Sequence, residues 1–301
     1  MDNRKVTYAA IDIGSNAVRL LIKSIEPGCD APTFVKEQLL RVPLRLGEDT
    51  FSKGEISREK GKNLLRLIKA YKQLMRIYNV KRYRACATSA MRDAANGCEL
   101  VKEISRKTGI NIEIIDGNVE ARLIYDTHIE ALLDRDKNYI YVDVGGGSTE
   151  ISLISGGELR SSRSYNIGTV RLLEGTVSDD TVQRLRRDMQ RFADSYPNLY
   201  IIGSGGNINK LYKLSTPQAS GEEGELSVRK LSIINELLKS MTPEERVAKF
   251  RMRPDRADVI TFAGDIFLEV AADSGAETIL VPTIGLADGI IDSLYAEDCL
   301  R

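Results

Sequence analysis

The sequence predicts an α/β protein of two domains, each built on a mixed β-sheet flanked by helices. Three observations carry that expectation. Asp12-Ile13-Gly14-Ser15-Asn16 and Asp143-Val144-Gly145-Gly146-Gly147-Ser148-Thr149-Glu150 share one pattern, an Asp-x-Gly turn between apolar, β-branched runs. After each copy, strand-like and helix-like segments follow in the same order. At 301 residues the chain also exceeds most single cores, so two domains are the natural division.

Tyr8 to Ile13 and Val18 to Ile22 read as the arms of a hairpin. A loop from Glu26 to Pro32 leads to a third strand near Thr33 to Leu40. Ile56, Leu64, Leu67, Ile68, Tyr71, Leu74 and Met75 recur at helical spacing, which predicts a helix over Ser57 to Tyr78. A strand from Tyr83 to Ala87 meets Thr88-Ser89-Ala90, and a helix runs through Met91 to Lys107, with Gly109 as its left-handed stop. A strand from Asn111 to Ile115 ends in Asp116-Gly117-Asn118, followed by a helix from about Val119 to Leu133.

The second half opens with arms Tyr139 to Val144 and Ile151 to Ile154, a strand near Glu158 to Tyr165 and a turn at Asn166-Ile167-Gly168. A basic helix over Asp179 to Ser195 precedes a strand, Leu199 to Ile202, that meets Gly203-Ser204-Gly205-Gly206-Asn207. Ser215 to Glu225, rich in Gly, Pro, Ser and Glu, reads as an exposed loop. Helices fill most of Ser227 to Ser274, a strand covers Thr278 to Val281, and a last helix follows Pro282-Thr283-Ile284-Gly285. Each sheet is expected to have five strands. The division falls at 1–127 and 128–301, with the final helix (286–300) packing back on the first domain.

Lys+Arg and Asp+Glu balance at 43 each, which argues against nucleic acid or a membrane surface as a general partner. No apolar run approaches the ~20 residues of a membrane span, and the polar Met1 to Lys5 leaves no room for a signal peptide. Cys29, Cys86, Cys98 and Cys299 lack paired metal spacing and read as reduced thiols of a cytoplasmic protein. The single histidine, His128, excludes a His-rich metal centre and a helical phosphohydrolase with His-Asp ligands.

Any anion must therefore be held by local geometry. A hairpin tip with glycines, a hydroxyl and one carboxylate suits a phosphate and its metal, because backbone N–H groups can approach oxygen anions closely while the Asp handles the cation. Thr88-Ser89-Ala90 and Gly203 to Gly206 sit at equivalent strand-to-helix turns, where helix N-termini favour anions.

These residues carry a resemblance. Ala10 to Leu20, Ala87 to Asn96, Val119 to Tyr125, Asp143 to Ile151, Ile167 to Leu172, Ile202 to Asn207 and Val281-Pro282 resemble, in order, the exopolyphosphatase / guanosine pentaphosphate phosphohydrolase family of the sugar kinase–Hsp70–actin superfamily. The resemblance implies two actin-like (ribonuclease H-like) domains facing across a cleft. It also implies hydrolysis of a terminal phosphoanhydride of inorganic polyphosphate or guanosine pentaphosphate, with tetraphosphate as a further ligand.

In that reading Glu120 is the water-activating base and Arg92 faces the terminal phosphates. Gly14, Ser15, Asn16, Ser89, Gly145, Gly146, Gly147, Ser148, Gly205 and Gly206 bind phosphate. Asp143, Glu150 and Asp12 hold Mg²⁺, with Mn²⁺ as a substitute, a monovalent cation beside it and a homodimer as further expectations. Arg19 and Arg171 stand behind these groups, and Arg184, Arg186, Arg187 and Arg191 read as a solvated helix face interrupted by Asp188. The chain ends at Arg301, without the extra helical domains of long relatives, so short substrates are expected. Two other readings are a small-molecule kinase of the same superfamily, opposed by the Thr-Ser-Ala-x-Arg and Glu-Ala-Arg blocks, and a non-catalytic alarmone sensor, opposed by the set Glu120, Asp143 and Glu150.

Overall fold

A computed structural model describes residues 5–25, 33–125, 133–216, 224–282 and 284–299. The chain divides into two compact units, Met1–His128 with Leu286–Arg301, and Ile129–Gly285. His128, Cys29 and the expected boundary at 127–128 lie outside the described residues.

The first unit opens with β1 (Val6–Ile13), β2 (Val18–Ile25) and β3 (Phe34–Val42), then α1 (Leu46–Lys53) and α2 (Arg58–Ile77). β4 (Arg82–Ala87), α3 (Ser89–Asp93), α4 (Gly97–Thr108), β5 (Glu113–Ile114) and α5 (Gly117–Tyr125) follow. The second unit contains β6 (Asn138–Val144), β7 (Thr149–Ser155), β8 (Glu158–Tyr165), α6 (Thr169–Leu173), α7 (Asp179–Ser195), β9 (Leu199–Ser204) and α8 (Gly206–Ser215). It continues through β10 (Gly224–Ser227), α9 (Val228–Lys239), α10 (Pro243–Phe250), α11 (Pro254–Ala257), α12 (Ile260–Ser274) and β11 (Thr278–Val281). The last helix, α13 (Leu286–Cys299), packs on β1, β2, β4 and α5 and so belongs to the first unit.

The sheets repeat one plan. The first runs β3-β2-β1-β4-β5 and the second β8-β7-β6-β9-β11-β10, with two antiparallel pairs followed by two parallel pairs in each and an antiparallel β10 added at the edge of the second. Both second strands carry an irregularity at the same place in the repeat, Ile22/Lys23 and Leu153/Ile154. In the first unit the inner strands are buried on both faces, and the Tyr71 hydroxyl of α2 donates to the Val18 carbonyl, tying helix to sheet. In the second, α12 is apolar on nearly every side and lies against α7, α8 and α9. Gly264 lets it meet Asn235 so closely that a Cβ would stand 2.2 Å from the amide oxygen.

Four expectations change. The helix from Met91 to Lys107 is two helices, because Ala94 is extended and the Asn96 side chain pairs with both Ile56 N–H and C=O, at 3.0 and 2.7 Å. The second sheet has six strands: Gly224–Ser227, placed partly in the exposed loop by composition, pairs with β11 and buries Leu226 completely. Helix α1 has no counterpart in the sequence reading. It is eight residues long, lacks a side-chain N-cap, and is held by tertiary bonds such as Ser57 N–H to Asp49 at 3.0 Å. Finally, α5 starts at Gly117, since Asp116 Oδ1 accepts from Asn118 and Val119 N–H at 2.8 and 2.9 Å.

Candidate active site

In the first unit, the expected groups gather at the carboxyl ends of β1, β4 and β5, the end where open α/β sheets bind ligands. Asp12, 3% exposed, closes β1. Its cross-strand partner on β2 is Arg19, whose Nη1 donates to Asp12 Oδ2 at 2.5 Å. Thr88 N–H donates to Ile13 C=O at 3.1 Å, bringing the β4–α3 turn beside the hairpin tip. There the buried hydroxyls of Ser15 and Ser89 lie 2.9 Å apart. Arg92 Nη1 donates to Ile115 C=O at 3.1 Å, so this guanidinium sits where β5 leads into α5. Glu120, 7% exposed, occupies the first turn of α5.

Cys86 is the parallel-strand partner of Asp12 and is fully buried. Burial pushes its thiol up to about 12; Arg84 opposes this, while Glu113, Asp12 and Glu120 add to it. Asp12 and Glu120 thus share one electrostatic neighbourhood.

The second unit repeats the tip. Gly145 N–H donates to Ser148 C=O at 2.9 Å, as Gly14 N–H donates to Ala17 C=O at 3.2 Å. In both tips the N–H groups of Gly14 and Gly145, expected from the sequence to bind phosphate, close the turn. A Cβ on either would stand 3.0–3.2 Å from those carbonyl oxygens, so the residue type is set by close approach. The tip is braced from behind. Gly145, Gly146 and Gly147 carbonyls accept from Thr169 N–H, Val170 N–H and Arg171 Nε at 3.0, 2.8 and 2.9 Å. The side of the tip formed by Gly146, Gly147 and Ser148 keeps phosphate binding as its candidate role.

Asp143 and Glu150 are direct cross-strand partners. Glu150 is 1% exposed and accepts from Ser164 Oγ at 2.8 Å. Like charges directly opposed in a sheet destabilise it, and a cation relieves that. Gly205, on the β9 side of Asp143, caps α8 with φ 103°, and a Cβ there would stand 3.1 Å from Asp143 Oδ1. Two carboxylates and a hydroxyl form a hard oxygen donor set that fits Mg²⁺ or Mn²⁺ better than a soft metal. Among the described residues no cluster of three or more His, Cys, Asp or Glu is assembled for a metal. A divalent ion here would therefore draw further ligands from water and substrate.

Two basic residues escaped the sequence reading. An Arg256 guanidinium nitrogen lies 2.8 Å from where a Gly206 Cβ would be, over the N-terminus of α8. Lys210 on that helix has its pKa lowered by burial, then by Arg256 and Lys213. They converge from separate elements, so no local spacing announces them; Pro254 at the start of α11 marks only a turn. The arginines of α7 are largely paired: Arg186 with Glu269 and Asp273, and Arg191 with Asp188, which also holds Arg163 and the Tyr165 hydroxyl.

A sheet order repeated twice, with an acidic hairpin at the head of each copy, defines a two-domain protein of the actin-like class. The chain belongs to the Ppx/GppA phosphatase family, whose model matches residues 38–297. A crystal structure of the Aquifex aeolicus family member has a TM-score of 0.77 at 25% identity, covering 98% of this chain and 99% of that one. An exopolyphosphatase from Cytophaga hutchinsonii shares the fold, with a TM-score of 0.85 at 24% identity over 97% and 98% of the two chains. In sequence, exopolyphosphatase 2 of Mycobacterium tuberculosis is 28% identical over 95% of this chain and 98% of its own length. A bifunctional 3-dehydroquinate synthase/phosphatase of Fusobacterium nucleatum is 35% identical over 55% of this chain, which spans 26% of that protein.

Proposed function

We propose that this protein is a phosphoanhydride hydrolase that removes the terminal phosphate of inorganic polyphosphate, of guanosine pentaphosphate, or of both. The observation that carries the reading is the cross-strand pair Asp143 and Glu150, the latter buried, beside a glycine-rich tip, which we read as a cation site next to an anion site. The exopolyphosphatase relatives support the substrate class.

The proposed roles are taken unit by unit. In the second, Asp143 and Glu150 would hold Mg²⁺, with Ser164 fixing the Glu150 carboxylate. The ion would supply neutralisation of phosphate charge. Gly146, Gly147 and Ser148 line the phosphate side of the tip, and Arg256 with Lys210 meets further phosphate oxygens at the α8 N-terminus. In the first unit, Glu120 takes the proton of the attacking water, which transfer to phosphorus requires in line with the leaving oxygen. Ser15 and Ser89 donate to the phosphate under attack, and Arg92 faces it. Arg19 holds Asp12 in place. No helix of the described residues is long and apolar enough to cross a membrane, and Cys86, Cys98 and Cys299 are free thiols. The cytoplasm is the compartment this reading assigns.

The test is phosphate release by the purified protein from polyphosphates of graded length, pppGpp and ATP, with and without Mg²⁺. Release from polyphosphate or pppGpp is expected, strictly dependent on the divalent ion. Glu120→Gln should keep substrate binding and lower turnover by on the order of 10²–10⁴. Wild-type turnover in that variant removes Glu120 as the base. Binding without any release by the wild type replaces the reading with a sensor.

A further inference from the structure

The stretch between β3 and α2 has no part in the chemistry above, yet it touches both phosphate loops of the first unit. Arg45 N–H donates to Asn16 C=O at 3.0 Å and Gly47 N–H to Ser15 C=O at 2.8 Å, so the hairpin tip is bonded from outside by two successive carbonyls. Three residues on, the buried Thr50 hydroxyl donates to Ala90 C=O at 3.0 Å, in the turn that carries Ser89. Gly47 also sets a distance: a Cβ there would lie 2.9 Å from Ser15 Cβ and 2.7 Å from the Phe51 ring. The bracket is anchored in turn. Arg45 adopts φ 49°, a left-handed conformation that costs a non-glycine residue energy. Its carbonyl accepts from Lys60 Nζ at 2.5 Å, and its guanidinium pairs with Glu48.

We propose that Arg45–Thr50 is a positioning bracket that fixes the Ser15–Ser89 hydroxyl pair for the phosphate under attack, with Gly47 and Thr50 as its working residues. The inference rests on the hydrolase reading for what the hydroxyls do, but not for how they are placed. Geometry argues for a positioning role over a merely structural one. Helix α1 meets one loop through a backbone N–H and the other through a side-chain hydroxyl, so it adds a second tie between them beyond the Thr88–Ile13 bond. Displacing a phosphate-binding group by a fraction of an ångström is enough to lower reactivity.

The test pairs two disruptive variants with one conservative one. Gly47→Ala introduces the clash at Ser15, Thr50→Val removes the bond to Ala90, and Thr50→Ser restores the hydroxyl. Each is measured by steady-state hydrolysis of inorganic tripolyphosphate, by calorimetric binding of tripolyphosphate with Mg²⁺, by thermal unfolding and by crystallography. Gly47→Ala and Thr50→Val should lower kcat/KM by on the order of 10-fold to 100-fold, at a temperature where both are folded. Thr50→Ser should recover most of the loss. The Ser15–Ser89 separation should open beyond 2.9 Å in both disruptive variants. Wild-type separation in the crystals, or wild-type kcat/KM despite reduced thermal stability, overturns the bracket. If the wild type hydrolyses no phosphoanhydride, the functional reading fails, while the crystallographic separation still decides the bracket.

Discussion

Gly205→Ala perturbs one atom's worth of space at the point where backbone strain and the candidate metal site coincide. With φ 103° and ψ 159°, the residue lies in a region open essentially to glycine, and a side chain there costs about 1–3 kcal/mol. For a unit the size of Ile129–Gly285, each kcal/mol corresponds to about 2–4 °C, giving an expected fall in Tm of roughly 2–12 °C. A second effect is chemical. The new methyl would stand 3.1 Å from Asp143 Oδ1 and 3.5 Å from Val144 C=O, so the carboxylate must yield by a few tenths of an ångström. The Mg²⁺ concentration for half-maximal phosphate release should rise, and kcat/KM should fall by on the order of tenfold to a hundredfold. Gly175→Ala is the control. Gly175 has φ 66° with nothing within 4 Å of an added Cβ, so it should lower Tm modestly and leave the Mg²⁺ midpoint alone. The assays are calorimetric melting and Mg²⁺ titration of hydrolysis. An unchanged Tm in Gly205→Ala refutes the strain argument; a lowered Tm with an unchanged Mg²⁺ midpoint detaches Asp143 from the metal.

Two further outcomes are expected. Burial works to raise the Asp298 carboxyl, but hydrogen bonds from Tyr8, Lys81 and Arg82 outweigh it and bring the group down to about 2. Because the folded pKa lies below the unfolded value near 4, the stabilisation is fully present above that value and is lost as pH falls through about 2. The Tm difference between wild type and Asp298→Asn should therefore be flat above pH ~5 and shrink between pH ~4 and ~2; a difference that persists unchanged at pH ~2 contradicts it. Separately, Cys98 is exposed, whereas Cys86 is buried with its thiol pushed up to about 12. A thiol reagent at pH ~8 should label Cys98 and spare Cys86 until the protein unfolds, and prompt labelling of Cys86 in the native protein would show that the strand carrying it opens.

The parts of this fold that were legible in the sequence are those whose signal is local. The hairpins show as apolar runs around Asp-x-Gly, and α7 runs from Asp179 to Ser195 in sequence and structure alike, because Ser178 caps it and its apolar stripe is regular. What was illegible is fixed by partners distant in the chain. Helix α1 exists because Gly47, Asp49 and Thr50 bond to the hairpin tip, Ser57 and Ala90. The break before α4 follows from Asn96 reaching Ile56. Strand β10 forms because β11 offers an edge, which composition around Ser215 to Glu225 does not reveal. The site divides in the same way. Its glycines and carboxylates lie in motifs, but Arg256 and Lys210 meet only through the packing of α8 against the α10–α11 segment, where Lys210 Nζ donates to Phe250 C=O.

The duplication also distinguishes the two copies chemically. Asp12 and Asp143 hold the same place in the repeat, and each faces the residue seven positions on, across its own hairpin. In the first copy that residue is Arg19, which donates directly to the carboxylate. In the second it is Glu150, buried at 1% exposure. One frame thus carries an ion pair on one side and two directly opposed carboxyl groups on the other. In the first arrangement the guanidinium already supplies a positive charge beside the carboxylate; in the second the two carboxyl groups form a hard oxygen donor pair. On this ground Asp143 and Glu150 remain the candidate divalent site, whereas Asp12, expected from the sequence as a third ligand, is paired with Arg19 in this structure. Changing Arg19 and changing Glu150 are therefore not equivalent perturbations of equivalent sites. The first releases a carboxylate that the fold had paired, and the second removes one of two opposed carboxylates.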